Sequence, residues 1–242
     1  MLSDYNCKIL NIDRYKFHLG DDSVLKNEIQ KMIVDINTLG SLGFHKLVCQ
    51  IPYKNSTTPS NAKKYITLLK RRIHKEIAHR LSGKFNISLV PTVYLSQDTP
   101  YVKNLKALTI PKTNYIFLEL PFSDMPEYVP GAINKILYYQ KLIPVFSEFH
   151  IYNSLYTNDE INKLINIKGS AFQFSIKHAV MPENVKIIKQ ILKNGNTVLL
   201  GTSCDHANLN KTNIDKNIKA IKKLLGEDYY MTLILRARTF PS

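Results

Sequence analysis

The sequence has few cysteines and lacks long apolar runs. Its three cysteines, Cys7, Cys49 and Cys204, form no CxxC pair, so neither a zinc ribbon nor a disulfide framework is indicated. No run approaches the roughly 20 apolar residues that a membrane span requires. The first ten residues contain Asp4 and Lys8 and no long apolar core, which argues against a secretory signal. These absences predict a cytoplasmic protein in a reducing compartment, without a membrane span.

Acidic residues are scarce as well, and tryptophan is absent. The chain has 33 lysines and arginines against 19 aspartates and glutamates, which gives a formal net charge of +14. A charge that large favours anionic partners such as nucleic acid, phosphorylated protein or acidic polysaccharide. A soluble protein with a lysine-rich surface has the same composition, so charge alone does not select a partner. The sequence does not indicate an oligomeric state either.

The pattern of apolar residues predicts one α/β domain. Short apolar segments alternate with segments of helical periodicity, and the predicted strands are residues 8–13, 46–51, 87–93, 114–120, 143–148, 170–175 and 197–202. Strands that alternate with helices are typical of parallel βα units. There is no internal repeat and no linker rich in glycine, serine or proline. The sequence therefore predicts a single domain over residues 1–242, folded as a distorted (β/α)7 barrel of TIM-like type.

Polar residues collect at the end of the last predicted strand. The segment 196–210 reads NTVLLGTSCDHANLN, with an apolar strand followed by Thr202, Ser203, Asp205, His206 and Asn208. Ligands bind at the carboxyl ends of parallel strands in α/β folds, so this segment predicts one wall of a binding site. A polar loop that caps the next helix with Asp205 or Asn208 is the alternative.

Acidic residues also end the fourth and fifth predicted strands, at Glu119 and Glu148. A carboxylate in an apolar strand is costly to bury without a partner, so each belongs either to a site or to a structural ion pair. In a barrel, Glu119, Glu148 and Asp205 would meet at the same end. Three converging carboxylates repel one another unless a cation, a basic side chain or bound protons lie between them.

A long helix predicted over residues 62–81 carries a basic stripe. Lys64, Arg71 and Lys75 lie opposite its apolar face, with Arg72 close by. This pattern is typical of a polyanion-binding surface and equally of a solvated outer helix. No RNA-binding motif is present. Nucleic-acid binding is therefore the least favoured function.

The order of these motifs resembles the capsular-polysaccharide tyrosine phosphatases of the PHP (polymerase and histidinol phosphatase) superfamily. Residues 114–122, NYIFLELPF, resemble the family's RYVLIEFP, and residues 144–152, PVFSEFHIY, resemble its PVIAHPERY. Residues 11–23, 169–175 and 201–208 are similar to three further family segments. The resemblance implies a PHP-type barrel that carries a metal cluster, usually of manganese, and hydrolyses phosphotyrosine.

The sequence departs from the family where the family has metal ligands. The two histidines that open the family's barrel fall on Asp13 and Tyr15, and the histidine after its second strand falls on Tyr53. The family's glutamate after the third strand falls on Val93, and its histidine after the fifth strand falls on Glu148. A multinuclear transition-metal cluster needs neutral imidazoles as well as carboxylates, so the resemblance implies that the cluster is lost.

Other acidic positions of the family remain, at Asp22, Glu119 and Asp205. Together with Asp13 and Glu148 they form an oxygen-only set. Such a set suits one hard cation such as Mg²⁺ or Ca²⁺. The expectation is therefore no cofactor, or at most one Mg²⁺, Ca²⁺ or Mn²⁺.

Three functions follow from the resemblance and the charge. The first is a non-catalytic pseudophosphatase that binds another protein or an anionic ligand. The second is an active metal-dependent phosphoesterase with a remodelled site, for which His150 and His206 lie close enough to the family's histidine positions to serve beside Glu119, Glu148 and Asp205. The third is a nucleic-acid-binding protein.

Overall fold

The computed structural model of the protein describes residues 4–8, 30, 33–34, 36–41, 44, 46–53, 58–78, 86–202 and 211–240. These residues include seven strands: β1 (Asp4–Lys8), β2 (Lys46–Tyr53), β3 (Asn86–Tyr94), β4 (Tyr115–Glu119), β5 (Ile143–Phe146), β6 (Ala171–Ser175) and β7 (Thr197–Gly201). The strands pair in parallel and in consecutive order. β1 also lies against β7, so the sheet curls until its first and last strands meet. The predicted fold class, a distorted parallel α/β barrel of TIM-like type, is confirmed.

Helices surround the sheet. They are α1 (Pro59–Ala78), α2 (Tyr128–Tyr138), α3 (Asn158–Ile165), α4 (Pro182–Lys193), α5 (Lys211–Leu225) and α6 (Glu227–Thr239). Residues 36–41, between β1 and β2, are helical as well. The connection from β3 to β4 is different, because it contains two short 3-10 turns, Thr99–Tyr101 and Leu105–Leu108, in place of an α-helix. The barrel is therefore less completely covered beside β3.

Local sequence explains where several helices begin. α3 starts with a capping box, in which Thr157 Oγ1 accepts the N–H of Glu160 and the Glu160 carboxylate accepts the N–H of Thr157. α4 starts at Pro182, a residue suited to the first helical position because its missing N–H would have no helical partner. These signals explain why α3 and α4 begin where they do.

Alternation along the strands separates two apolar layers. One residue from each of six consecutive strands points into the barrel and is buried in a single cluster; these are Val48, Val90, Phe117, Val145, Ala171 and Leu199. We call this cluster the lower layer. Neighbouring residues such as Val93 and Leu118 point outward and pack in a second cluster with residues of the helices. The barrel is thus filled on the inside and covered on the outside.

The last helix closes the amino-terminal end of the barrel. Phe240, just after α6, packs into the lower layer, and its ring lies 4.4 Å from that of Tyr115 at the start of β4. Arg236 Nη1 donates to the carbonyl oxygens of Leu192 at 2.9 Å and Asn196 at 2.6 Å. The opposite, carboxyl-terminal end of the strands is the end at which barrel proteins carry their sites.

The first strand begins earlier in the chain than predicted. The strand was predicted at residues 8–13, whereas β1 spans Asp4–Lys8 and shares only Lys8 with that range. Residues 9–13 lie outside the described residues, so that part of the prediction stays a prediction. β1 pairs with β2, where Cys7 lies opposite Cys49. Within the described residues, no helix is both long enough and apolar enough to cross a membrane.

Candidate functional site

The carboxyl-terminal end of the barrel gathers polar residues from three adjacent strands, and we call it the mouth. Glu119 is the last residue of β4, and Glu148 lies two residues after β5. His150 follows Glu148 in a 3-10 helix, Phe149–Ser154, and His178 lies three residues after the end of β6. Glu119 therefore ends its strand as predicted, whereas Glu148, predicted as the last residue of the fifth strand, lies two residues beyond it.

A buried layer of neutral polar side chains lies beneath the mouth, and we call it the polar layer. It consists of Gln50, Thr92, Ser147 and Gln173, none of which is more than 3% exposed. Thr92 Oγ1 donates to Gln50 Oε1 at 2.9 Å, and Ser147 Oγ donates to the same oxygen at 2.7 Å. These contacts join β2, β3 and the end of β5 through amides and hydroxyls.

Gln173 has one amide atom paired and one without a partner. Its Oε1 accepts the backbone N–H of Glu148 at 2.7 Å. Its Nε2 is buried and has no hydrogen-bond partner within the described part of the chain. A buried donor of this kind costs about 1–3 kcal/mol unless an acceptor reaches it. The side chain is thus suited to donate to an acceptor atom of a ligand.

The backbone of Glu148 is left-handed, with φ 47° and ψ 45°. This conformation costs a residue other than glycine about 1–2 kcal/mol, so the surrounding structure must hold it in place. The hydrogen bond from Glu148 N–H to Gln173 is one such restraint. The turn at Glu148 directs the following 3-10 helix, with His150, over the mouth.

Two histidines stack at the mouth. The rings of His150 and His178 have centroids 4.3 Å apart and lie within 14° of parallel. The backbone N–H of Ser175 donates to His150 Nδ1 at 3.4 Å, which leaves the ring proton of a neutral His150 on Nε2. Burial, together with the charge of Lys177, lowers the pKa of His178, while Glu148 opposes this shift. His178 is therefore a neutral imidazole at pH 7.

His178 was not among the predicted site residues. A signal for it was present in the sequence, because it follows the end of β6 by three residues, as Glu148 follows β5 by two. The polar layer was also missed. Gln50, Thr92 and Ser147 read as ordinary polar residues in strands or loops, and their pairing depends on the barrel geometry.

Tyr152 is held in the framework of the mouth by the backbone of Leu120, close to both carboxylates. Its hydroxyl accepts the N–H of Leu120 at 2.9 Å and donates to the carbonyl oxygen of the same residue at 3.1 Å. Burial, and then the charge of Glu119, raise the pKa of Tyr152, and Glu148 contributes in the same direction. The phenol is therefore a fixed structural hydrogen-bonding group, and both glutamates lie near it.

Tyr53 occupies a different position from the mouth residues. It is 4% exposed and belongs to the outer apolar cluster with Val93 and Ala62 of α1. Burial raises the pKa of its phenol. Asp13, Tyr15, Asp22, Asp205 and His206 lie outside the described residues, so their predicted roles stay predictions.

The basic stripe lies on α1, on the outside of the barrel. Ala62, Leu69 and Ile73 form the buried face of this helix. Lys64, Arg71 and Lys75 are exposed, and Arg72 is half-buried. The predicted orientation of the stripe is confirmed, and its role in binding polyanions stays a prediction.

The described residues of the mouth do not fit a multinuclear metal centre. In the residue ranges given above, no three histidine, cysteine, aspartate or glutamate side chains are grouped as metal ligands. The imidazoles of His150 and His178 stack face to face, whereas shared coordination would direct their ring nitrogens at one point. The polar layer below them offers neutral amides and hydroxyls. These residues favour hydrogen bonding to a ligand.

A parallel α/β barrel with polar groups at the carboxyl ends of its strands belongs to the broad class of barrel proteins whose sites lie at that end. Residues 45–239 match the model of the family described as capsular polysaccharide synthesis, CpsB/CapC, and the chain belongs to this family. The resemblance found in the sequence is thereby confirmed. No match was found among curated proteins.

A solved structure supports the fold. It is from a study of YwqE from Bacillus subtilis and CpsB from Streptococcus pneumoniae, described as metal-dependent tyrosine phosphatases. It matches with a TM-score of 0.65 and 15% identity, over 99% of this chain and 96% of that one. Organophosphorus hydrolase from Deinococcus radiodurans overlaps more weakly, with a TM-score of 0.44 and 10% identity, over 87% of this chain and 65% of that one.

Proposed function

We propose that this member of the CpsB/CapC family is a pseudophosphatase, which binds a partner at the mouth without hydrolysing it. The observation that carries the proposal is the chemistry of the mouth. Glu148 stands where the family resemblance puts a histidine, and the polar layer beneath consists of neutral amides and hydroxyls. Such groups recognise a ligand by hydrogen bonding, and they do not supply the imidazoles that a multinuclear metal cluster needs.

The partner that this mouth favours is a polypeptide. Gln173 Nε2 is a buried donor suited to a peptide carbonyl. Phe122 is 51% exposed and stacks on Tyr152 at 5.8 Å, which supplies an aromatic surface beside the strand ends. Glu119 and Glu148 oppose a phosphate group in the same place, because like charges repel. We therefore propose a tyrosine-containing peptide, bound more tightly without a phosphate than with one.

The second candidate function is an active metal-dependent phosphoesterase. The pair His150 and His178, together with Glu148 nearby, favours it, because imidazole and carboxylate are the donor types of such enzymes. Asp205 and His206 would have to complete the ligand set. This alternative makes the opposite prediction for turnover.

Both candidate functions, pseudophosphatase and phosphoesterase, are tested with the full chain. We expect no manganese-stimulated hydrolysis of p-nitrophenyl phosphate above a buffer control. Turnover that disappears in the Asp205→Ala variant would overturn the pseudophosphatase and support the phosphoesterase. Metal analysis of the purified protein adds an independent readout.

Binding is tested by calorimetry with matched tyrosine and phosphotyrosine peptides. We expect the Gln173→Met variant to weaken binding of the tyrosine peptide, because it removes the amide donor at similar volume. Lys163→Gln, on the exposed face of α3, is the control. Tighter binding of the phosphorylated peptide, or no effect of the Gln173 variant, would contradict the proposed mode of recognition.

A further inference from the structure

A groove of about 690 Å³ lies on the outer wall of the barrel, away from the mouth. It runs between α1 and the connection from β3 to β4, and Leu89 and Pro91 of β3 contribute to its lining. The groove exists because this connection has 3-10 turns in place of the α-helix that would cover the strand. Its volume falls within the range of about 300–1,000 Å³ that is typical of small-molecule sites.

Four lysines line this groove, and none of its described lining residues is acidic. They are Lys63 and Lys70 of α1, together with Lys106 and Lys112 of the connection. In the described parts of the chain, none of the four forms an ion pair. Positive charges gathered around a concave surface repel one another and focus the potential inside it. The groove is therefore a site where an anion relieves electrostatic repulsion.

The backbone of the connection holds two lining residues in strained conformations. Asn104 has φ 60° and Lys112 has φ 65°, both in the left-handed region. Asn104 Nδ2 donates to Ser60 Oγ at 3.3 Å, which joins the connection to the start of α1. Residues held in this region are often found at binding sites. The position of Lys112 at the edge of the groove is thus set by the fold.

The threonine hydroxyl groups that line the groove already donate hydrogen bonds within the chain. Thr67 Oγ1 donates to the carbonyl of Lys63, and Thr113 Oγ1 donates to that of Ile110. Thr109 Oγ1 donates to the carbonyls of Lys106 and Thr113. These hydroxyl protons are occupied within the chain. The free donors of the groove are therefore mainly charged ammonium groups.

We propose that this groove binds a small anion with two or more phosphate groups, independently of the mouth. Several lysines match several phosphates, since each ammonium group neutralises one negative charge. The described lining residues include no aromatic side chain, so they lack the stacking surface that single-stranded nucleic acid uses. Lys63 and Lys70 line the groove. They are the sequence neighbours of Lys64 and Arg71, which belong to the predicted basic stripe.

The test is calorimetric titration of the full chain with inorganic tripolyphosphate, pyrophosphate and monophosphate at low salt. A bisphosphorylated hexose, run in parallel, distinguishes a sugar phosphate from an inorganic one. We expect saturable binding with one site, and affinity that increases with the number of phosphates. Raising the salt concentration should weaken binding, because the contacts are between exposed charges.

Two variants with the same loss of charge locate the site. Lys70→Gln/Lys106→Gln should weaken tripolyphosphate binding by at least about tenfold, the effect of losing roughly 1.4 kcal/mol of contact energy. Lys186→Gln/Lys193→Gln, on the exposed face of α4, should change it by less than about threefold, as expected for a diffuse effect of charge. Thermal melts check folding, and the single variant Lys106→Gln at an exposed position replaces the double variant if the double variant is unstable.

Equal losses in the two double variants would overturn the proposal, because net charge would then account for the binding. Monophosphate binding as tightly as tripolyphosphate would overturn it as well. So would a lack of saturable binding at low salt. None of these experiments measures activity or peptide binding at the mouth, so the proposed function is tested separately by the experiments described for it.

Discussion

The interior of the barrel has two layers that lie two residues apart on the same strands. Moving from the lower layer to the polar layer, Val48 gives way to Gln50, Val90 to Thr92, Val145 to Ser147 and Ala171 to Gln173. Residues two apart point to the same side of a strand, so the two layers share one lumen. A single barrel interior therefore changes from apolar core to candidate site within two residues along each of these strands.

The two layers stabilise the protein to different extents. Apolar side chains in the lower layer gain free energy from burial in proportion to the area removed from water. Buried amides and hydroxyls gain little beyond compensation for lost water contacts, and they become costly when one partner is missing. The polar layer is therefore held together by the hydrogen bonds among its members. A donor without a partner in this layer, such as Gln173 Nε2, can donate to a ligand.

The largest expected effect is in the lower layer. Phe117→Ala should lower the free energy of unfolding by about 3–5 kcal/mol, because it removes a fully buried ring and leaves a cavity. Urea unfolding followed by circular dichroism measures the change. Leu68→Ala, at a half-exposed position on α1, is the control and should stay within about 0.5 kcal/mol. A loss below about 1 kcal/mol for Phe117→Ala would mean that the lower layer is not a tightly packed core.

A smaller effect is expected in the polar layer. Gln50→Leu should cost about 1–3 kcal/mol, because the hydroxyls of Thr92 and Ser147 lose their common acceptor. Adding Thr92→Val and Ser147→Ala should recover part of this loss, since it removes the two hydroxyl donors that Gln50→Leu leaves without an acceptor. The measurement is again urea unfolding, with all single variants for comparison. If the triple variant is less stable than Gln50→Leu alone, the polar layer is not held by these hydrogen bonds.

The smallest expected effect is the pH dependence contributed by His178. Its pKa in the folded protein is lowered from 6.5 by burial and by Lys177, against the opposing charge of Glu148. The unfolded chain therefore binds the proton more readily than the folded protein does. As a result, the free energy of unfolding falls as the pH drops through 6.5 toward the folded pKa. At higher pH this group does not affect stability. Unfolding measured at a series of pH values should show a weaker dependence for His178→Gln and for Lys177→Gln. Slopes equal to that of the parent protein would show that His178 does not contribute.

Features that depend on local periodicity could be predicted from the sequence. The position of Glu119 at a strand end, the buried face of α1 and the consecutive order of the strands follow from apolar patterns and the rules for βα units. Features that depend on contacts across the barrel could not. Ser147 reaches Gln50, and His178 stacks on His150, only after distant segments have been brought together.

Counting along the chain also does not say which way a side chain points. The resemblance put a family ligand at Val93, but this side chain lies in the outer apolar cluster. Its neighbour Thr92 is the residue that points into the barrel, where it donates to Gln50. A shift of one residue in a strand exchanges the inner and outer faces, so an alignment correct to within one position still assigns the wrong side chain to a site.

The packing of Phe240 against Tyr115 has a consequence for the order of events during synthesis. More than half of the chain separates these two residues, and the later one is made after every strand. Chains emerge from the ribosome at about 5–20 residues per second, so the amino-terminal end of the barrel stays unsealed until the final residues of α6 and Phe240 have been released. This end of the lumen can therefore close only after the strands have been made, and a nascent chain that stalls before residue 240 would lack the cover that Phe240 gives to the lower layer.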